Sequence, residues 1–145
     1  MMRLVDTNVL VYAHDRSSPK QPAAMKILGD AFSGTSQLCI TPQILLEFYN
    51  VITNPRRIAR PLTVSQAGRL VNLYGGSSRI RKIYPDSSTL GVAIDLCIRT
   101  ETKGADVFDA YLVATALGQG VTEVYTENTV DMARFGMTAV DPFSS

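Results

Sequence analysis

The chain has 145 residues, enough for one domain and little more, and its 46% apolar and 19% charged composition is that of a globular protein with one sizeable core. No apolar run approaches the roughly 18 residues of a membrane span, and the N-terminus lacks the pattern of a secretory leader, so a cytoplasmic protein without a membrane is expected. A net charge of +1 leaves any grip on a polyanion to a local basic patch, and Cys39 and Cys97, both in apolar surroundings, read as buried free thiols.

The first predicted element is a short strand, Arg3 to Val5, and Asp6 follows it at once. Asp6-Thr7-Asn8 leads into an apolar helix start, Val9 to Tyr12, so Asp6 can serve as an N-cap as well as a strand-end acid. His14, the single histidine, follows. Apolar residues at helical spacing predict a helix over Pro22 to Phe32. A second strand covers Gln37 to Ile40. Thr41 is a natural cap for the next helix, with Pro42 at its first position, and that helix should end before Pro55.

Glu47 interrupts the most apolar part of that helix, Ile44 to Tyr49. Glutamate is rarely buried without a partner. It either points to solvent or is held, and Asn50 would share its helix face and could steady it. Two basic clusters follow, Arg56, Arg57 and Arg60, then Arg79, Arg81 and Lys82. Thr63 to Gln66 resembles a capping box that opens a helix toward Tyr74, with Gly75 to Ser78 read as a loop. A third strand is expected over Arg81 to Tyr84. Asp86 then caps a helix from Ser87 to Ile98.

Asp106 to Leu117 reads as a strongly apolar helix, stopped by Gly118 and Gly120. Asp106 and Asp109 share one side of it, in the first turn, where the helix dipole by itself favours acids. A fourth strand, Glu123 to Tyr125, precedes a polar cluster, Thr126 to Asp131, which also fits a simple turn. A possible fifth strand lies near Thr138 to Val140.

Strands alternating with helices predict a single α/β domain over residues 1–145, with a mostly parallel central sheet of four to five strands. Ligands of such sheets bind beyond the carboxyl ends of the strands, where several of these acids fall. Two carboxylates about 4 Å apart repel by about 4 kcal/mol at an effective dielectric near 20. A converging set therefore calls for protonation or a cation, and all-oxygen donors favour Mg²⁺ or Mn²⁺. Other chemistries fit poorly. One histidine without a nucleophile motif gives no triad, there is no glycine-rich phosphate loop, and no Cys and His residues have zinc spacing.

These residues resemble a known family. Asp6-Thr7-Asn8-Val9-Leu10 after an opening strand, Glu47 within Leu45 to Phe48, Asp109 to Ala116, and Thr126-Glu127-Asn128 with Asp131 resemble, in order, the four acidic motifs of PIN-domain ribonucleases. Their spacing and the total length are similar to those of VapC-type toxins of toxin–antitoxin pairs. The resemblance covers essentially the whole chain. It implies a metal-dependent endoribonuclease, with Asp6, Glu47 and Asp109 as metal-binding acids and Mg²⁺ or Mn²⁺ as cofactor. The fourth ligand falls to Asn128, which carries no charge where the family often has aspartate, or to Asp131. Asp106 is an additional acid without a firm family equivalent. Thr7, Asn8 and Thr126 would hold neighbouring groups or substrate, and Arg56 and Arg57 would grip RNA. The implied partners are RNA, a cognate antitoxin and a second copy in a homodimer, with Tyr12, Phe48, Tyr49 and Ile52 as a candidate antitoxin face or, equally, part of the core. Two alternatives remain. A PIN-like scaffold that binds RNA or protein with little catalysis would follow if Asn128 weakens the metal site. A haloacid-dehalogenase-type phosphohydrolase would want aspartate where Asn8 stands.

Overall fold

The structure, a computed structural model, describes residues 1–144. Strands β1 (Met2–Val5), β2 (Gln37–Ile40), β3 (Ile80–Lys82), β4 (Glu123–Tyr125) and β5 (Thr138–Val140) form one sheet in the order β3-β2-β1-β4-β5. Every pairing is parallel, so the sheet is wholly parallel where the sequence predicts mostly so. Leu4, Val5, Leu38, Cys39, Ile40, Ile80 and Val124 are all buried. Continuous apolar runs of this kind are what strands covered on both faces require.

The helices are α1 (Thr7–Ala13), α2 (Gln21–Phe32), α3 (Pro42–Ile52), α4 (Val64–Gly76), α5 (Thr89–Thr100), α6 (Val107–Gly118) and the short α7 (Thr129–Arg134). α1 packs on α2 and α3, and α3 on α4; α5 packs on α6, and α6 on α7. Thr41 caps α3 by accepting from the Ile44 amide at 3.1 Å, and Thr63 with Gln66 forms the expected capping box. Among the described residues no helix is long and apolar enough to cross a membrane. Both cysteines are free and buried.

Several expectations are corrected. β3 lies at Ile80–Lys82 rather than Arg81–Tyr84, because Ile80 registers with Leu38 and the chain leaves the sheet before Pro85, which has no amide to donate. α4 runs through Gly75 and Gly76, which the sequence suggests as loop. The Lys82 ammonium donates to the carbonyls of Tyr74 and Ser77 and so satisfies this helix end. α5 starts at Thr89, not Ser87. The Asp86 carboxylate accepts from the Ser88 amide at 2.8 Å and makes a turn ahead of the helix instead of capping it. Asp106 ends a 3₁₀ turn, Gly104–Asp106, and makes no side-chain cap to α6. Finally, Phe48 and Ile52 are fully buried and Tyr12 and Tyr49 half-buried, so this face belongs to the core and is not an open surface.

Candidate active site

The strand order reverses between β1 and β4, whose neighbours run outward in opposite chain directions. The crevice at such a reversal is where α/β sheets bind ligands. Asp6 stands there, at the end of β1, its amide donating to the Tyr125 carbonyl of β4 at 3.0 Å. It is also the N-cap of α1. Both roles that the sequence allows for it are thus fulfilled by one residue.

Asp6 is almost completely buried and well supplied with donors. Oδ1 accepts from the Thr7 amide at 2.8 Å, and Oδ2 from the Thr126 hydroxyl at 2.7 Å and the Asn8 amide group at 3.4 Å. Burial pushes its carboxyl above the ordinary range, and the nearby Glu47 charge adds to that; the bonds from Thr126, Thr7 and Asn8 oppose it. Thr126 is fully buried beneath Asp6, and its oxygen also accepts the Asn128 amide at 2.9 Å. Asn8 accepts from the Glu127 amide at 3.2 Å. Thr126 and Asn8 therefore clip the loop after β4 to Asp6, Thr126 fully buried and Asn8 partly open to the cleft.

Glu47 arrives from α3 and Asp109 from the first turn of α6. The Glu47 carboxylate accepts from the Thr7 hydroxyl at 3.0 Å and from the Gln43 amide group at 3.2 Å. Gln43, rather than Asn50, is its steadying amide; the i to i+4 spacing was the signal for it. The same Gln43 nitrogen donates to the Phe108 carbonyl at 3.2 Å and so ties α3 to the start of α6. Burial, and then the charges of Asp6, Glu47, Asp106 and Asp131, push the Asp109 carboxyl up from 3.8 to about 6.

Asp6, Thr7, Asn8, Glu47, Asp109 and Asn128 line one cleft of about 520 Å³, together with Asp15, Asn50, Arg57 and Glu127. Asp131 and Asp106 stand outside this lining and are exposed; each still raises Asp109, and Asp106 pairs with Arg134 at 3.7 Å. Arg57 reaches the cleft, whereas Arg56 is exposed beyond it.

One assembly has no counterpart in the sequence reading. Glu127 accepts from the Tyr12 hydroxyl at 2.7 Å and pairs with Lys20, whose ammonium sits 4.9 Å over the Tyr12 ring. Burial pushes the Glu127 carboxyl up, but the Lys20 and Tyr12 bonds outweigh it and hold the group ionised. Phe143 packs edge-on against Tyr12 at 5.0 Å and closes this wall. No periodicity links residues this far apart.

Among the described residues, no three acid, His or Cys side chains are drawn close enough to hold an ion on their own. The donor set still fits a hard cation. It is all oxygen, it crowds enough charge to lift Asp109, and Mg²⁺ commonly keeps several waters and takes only one or two carboxylates.

A family model described as the PIN domain matches residues 3–136. Ribonuclease VapC24 of Mycobacterium tuberculosis is 28% identical over 145 residues, covering 99% of this chain and 99% of its own length. Among solved structures, M. tuberculosis VapC20, described as a sarcin-ricin loop cleaving toxin, superposes with a TM-score of 0.69 at 15% identity, over 92% of this chain and 94% of that one. A toxin–antitoxin complex from Klebsiella pneumoniae gives a TM-score of 0.65 at 20% identity, over 99% of each chain. At these identities the structural likenesses speak for the fold.

Proposed function

The chain belongs to the PIN-domain family, and from that premise we propose that it is a Mg²⁺- or Mn²⁺-dependent endoribonuclease, the toxin of a toxin–antitoxin pair. The observation that carries this reading is the convergence of Asp6, Glu47 and Asp109, from three separate elements, on one cleft at the carboxyl edge of the sheet. The VapC ribonuclease relatives support it.

In this reading Asp6 and Asp109 are the principal metal ligands, and Glu47 binds or orients a water. The fourth place is taken by the Asn128 carbonyl oxygen or by Asp131. A bound divalent cation supplies positive charge against which a phosphoryl oxygen and an attacking water are polarised. The chain's own residues do the positioning. Thr126, Thr7 and Asn8 fix the Asp6 carboxylate, Thr7 and Gln43 fix Glu47, and Arg57 offers the cleft's arginine to a phosphate.

The protein works in the cytoplasm as a homodimer restrained by an antitoxin. With the Tyr12–Ile52 face in the core, the groove lined by Met25, Leu28, Phe32, Leu62 and Leu70 is the better seat for an apolar antitoxin segment.

Incubation with structured RNAs in Mg²⁺ or Mn²⁺ is expected to give discrete cleavage, lost in EDTA and in Asp6→Asn. Undiminished cleavage in either case would sink the proposal. A binding scaffold with little catalysis is the second reading, favoured by the spread of the acids and the neutral Asn128. Calorimetry without any Mn²⁺ binding, beside intact RNA binding, would select it.

A further inference from the structure

Beside the acidic cleft lies a second hollow of about 520 Å³, lined chiefly by Pro42, Gln43, Leu46, Tyr84, Pro85 and Tyr111. Glu47 lines both, so the two spaces share one side chain as a wall. The hollow opens beyond the carboxyl ends of β2 and β3, since Thr41-Pro42 leaves the one strand and Tyr84-Pro85 follows the other. Its size is that of a small-ligand pocket.

Its character is opposite to that of the cleft. Apolar and aromatic groups dominate, and Leu46 and Tyr84 stay 70% and 57% exposed. The threonines at its edge are engaged internally: Thr41 accepts from the Ile44 amide at 3.1 Å, and Thr115 donates to the Tyr111 carbonyl at 2.9 Å. The hydroxyls of Tyr84 and Tyr111 have no hydrogen-bond partner among the described residues and remain open to a ligand.

We propose that this hollow is a nucleobase subsite, taking one unstacked base of the RNA strand whose phosphate lies among Asp6, Glu47 and Asp109. The inference rests on the ribonuclease reading and extends it from the phosphate to a base. Two considerations carry it. An RNA strand crossing the cleft must send its next base over one wall, and at Glu47 that base meets a preformed aromatic recess. Among the described residues the cleft, moreover, sets Asp6, Asp15, Glu47 and Asp109 against one arginine, Arg57, the further acid Glu127 being already paired with Lys20. One bound divalent cation together with Arg57 still does not outnumber these four acids, so uncharged contact must supply much of the adhesion. Stacking of single-stranded bases on tyrosine does so without needing positive charge. The open phenols can then read a base edge and impose a preference at one position.

The test uses Asp6→Asn protein in Mg²⁺, to hold RNA uncut, and a short fluorescent single-stranded RNA with one abasic position walked along it. At one position, loss of the base is expected to weaken binding about tenfold, and Tyr84→Ala to weaken binding of intact RNA by a similar factor. Combined, the two changes should cost no more than either alone, and Tyr84→Phe, which keeps the ring, should retain most of the affinity while relaxing the preference for one base at that position. Additive losses at every position would overturn the subsite. So would Tyr84→Ala dissociating a dimer while the abasic penalty persists, which would make the hollow a subunit contact. Wild-type cleavage of RNA in Mg²⁺, measured alongside, tests the underlying reading separately.

Discussion

Asp109 carries the sharpest conflict of any single residue. Its carboxyl holds a proton up to about pH 6 in the fold, against 3.8 ordinarily. A raised acid favours the folded state at low pH; that contribution is complete below about 3.8 and is lost as pH rises to about 6. Metal-free protein should accordingly be more stable near pH 4 than near pH 7 as far as this group decides. Asp109→Asn should stabilise metal-free protein at neutral pH by on the order of 1 kcal/mol, a modest figure because the half-exposed group is screened, while abolishing cleavage. Urea melts in EDTA at both pH values read this out, and a destabilised variant at neutral pH would contradict it. That Asp6, Glu47 and Asp109 share one cleft was legible because each falls at a strand end or inside an apolar run, although capping and the helix dipole by themselves also account for Asp6 and Asp109. The part played by Thr126 was not legible, since nothing in a threonine's neighbours says that its hydroxyl will be fully buried under an aspartate 120 positions away.

Between elements, one small amide matters. Gln43 joins α3 to the first turn of α6 while holding Glu47. Gln43→Ala should lower the RNA cleavage rate severalfold yet change stability by no more than about 1 kcal/mol, the worth of an exposed hydrogen bond. Thr63→Ala is the contrasting case. It removes the capping box of α4 and should cost about 1 kcal/mol in thermal unfolding without altering the rate. Equal effects of the two on rate would show that Gln43 acts only through stability. Element types followed from periodicity, and caps with side-chain oxygens marked α1, α3 and α4 well. Boundaries failed where glycine or aspartate misled. Gly75 and Gly76 signal a break, but the helix continues because Lys82 satisfies its terminal carbonyls. Asp86 signals a cap, but it closes a turn of its own.

Across the whole molecule, the charge balance of +1 hides an uneven distribution, with acids gathered in the cleft and, of the Arg56, Arg57 and Arg60 cluster, Arg57 lining it. If Arg56 and Arg57 both meet phosphates, each replacement by alanine should lower the salt slope of single-stranded RNA binding by about 0.7. Titrations over a range of salt concentrations test this, and an unchanged slope for Arg57→Ala would remove arginine from the substrate path. The sheet order was beyond the sequence, because local patterns fix what each strand is and not which strand lies beside it. That order also governs when the cleft comes into being. β1 is made first, yet it sits in the middle, and the strand that completes its Asp6 edge is β4, near the end of the chain. A nascent chain on the ribosome therefore carries Asp6 almost from the outset, and Glu47 from the first third, but gains Asp109 and Thr126 only when more than two thirds of these residues have been made. On the ribonuclease reading, a chain at that stage is harmless to the RNA around it, and the cleft can act only once the last strands have emerged.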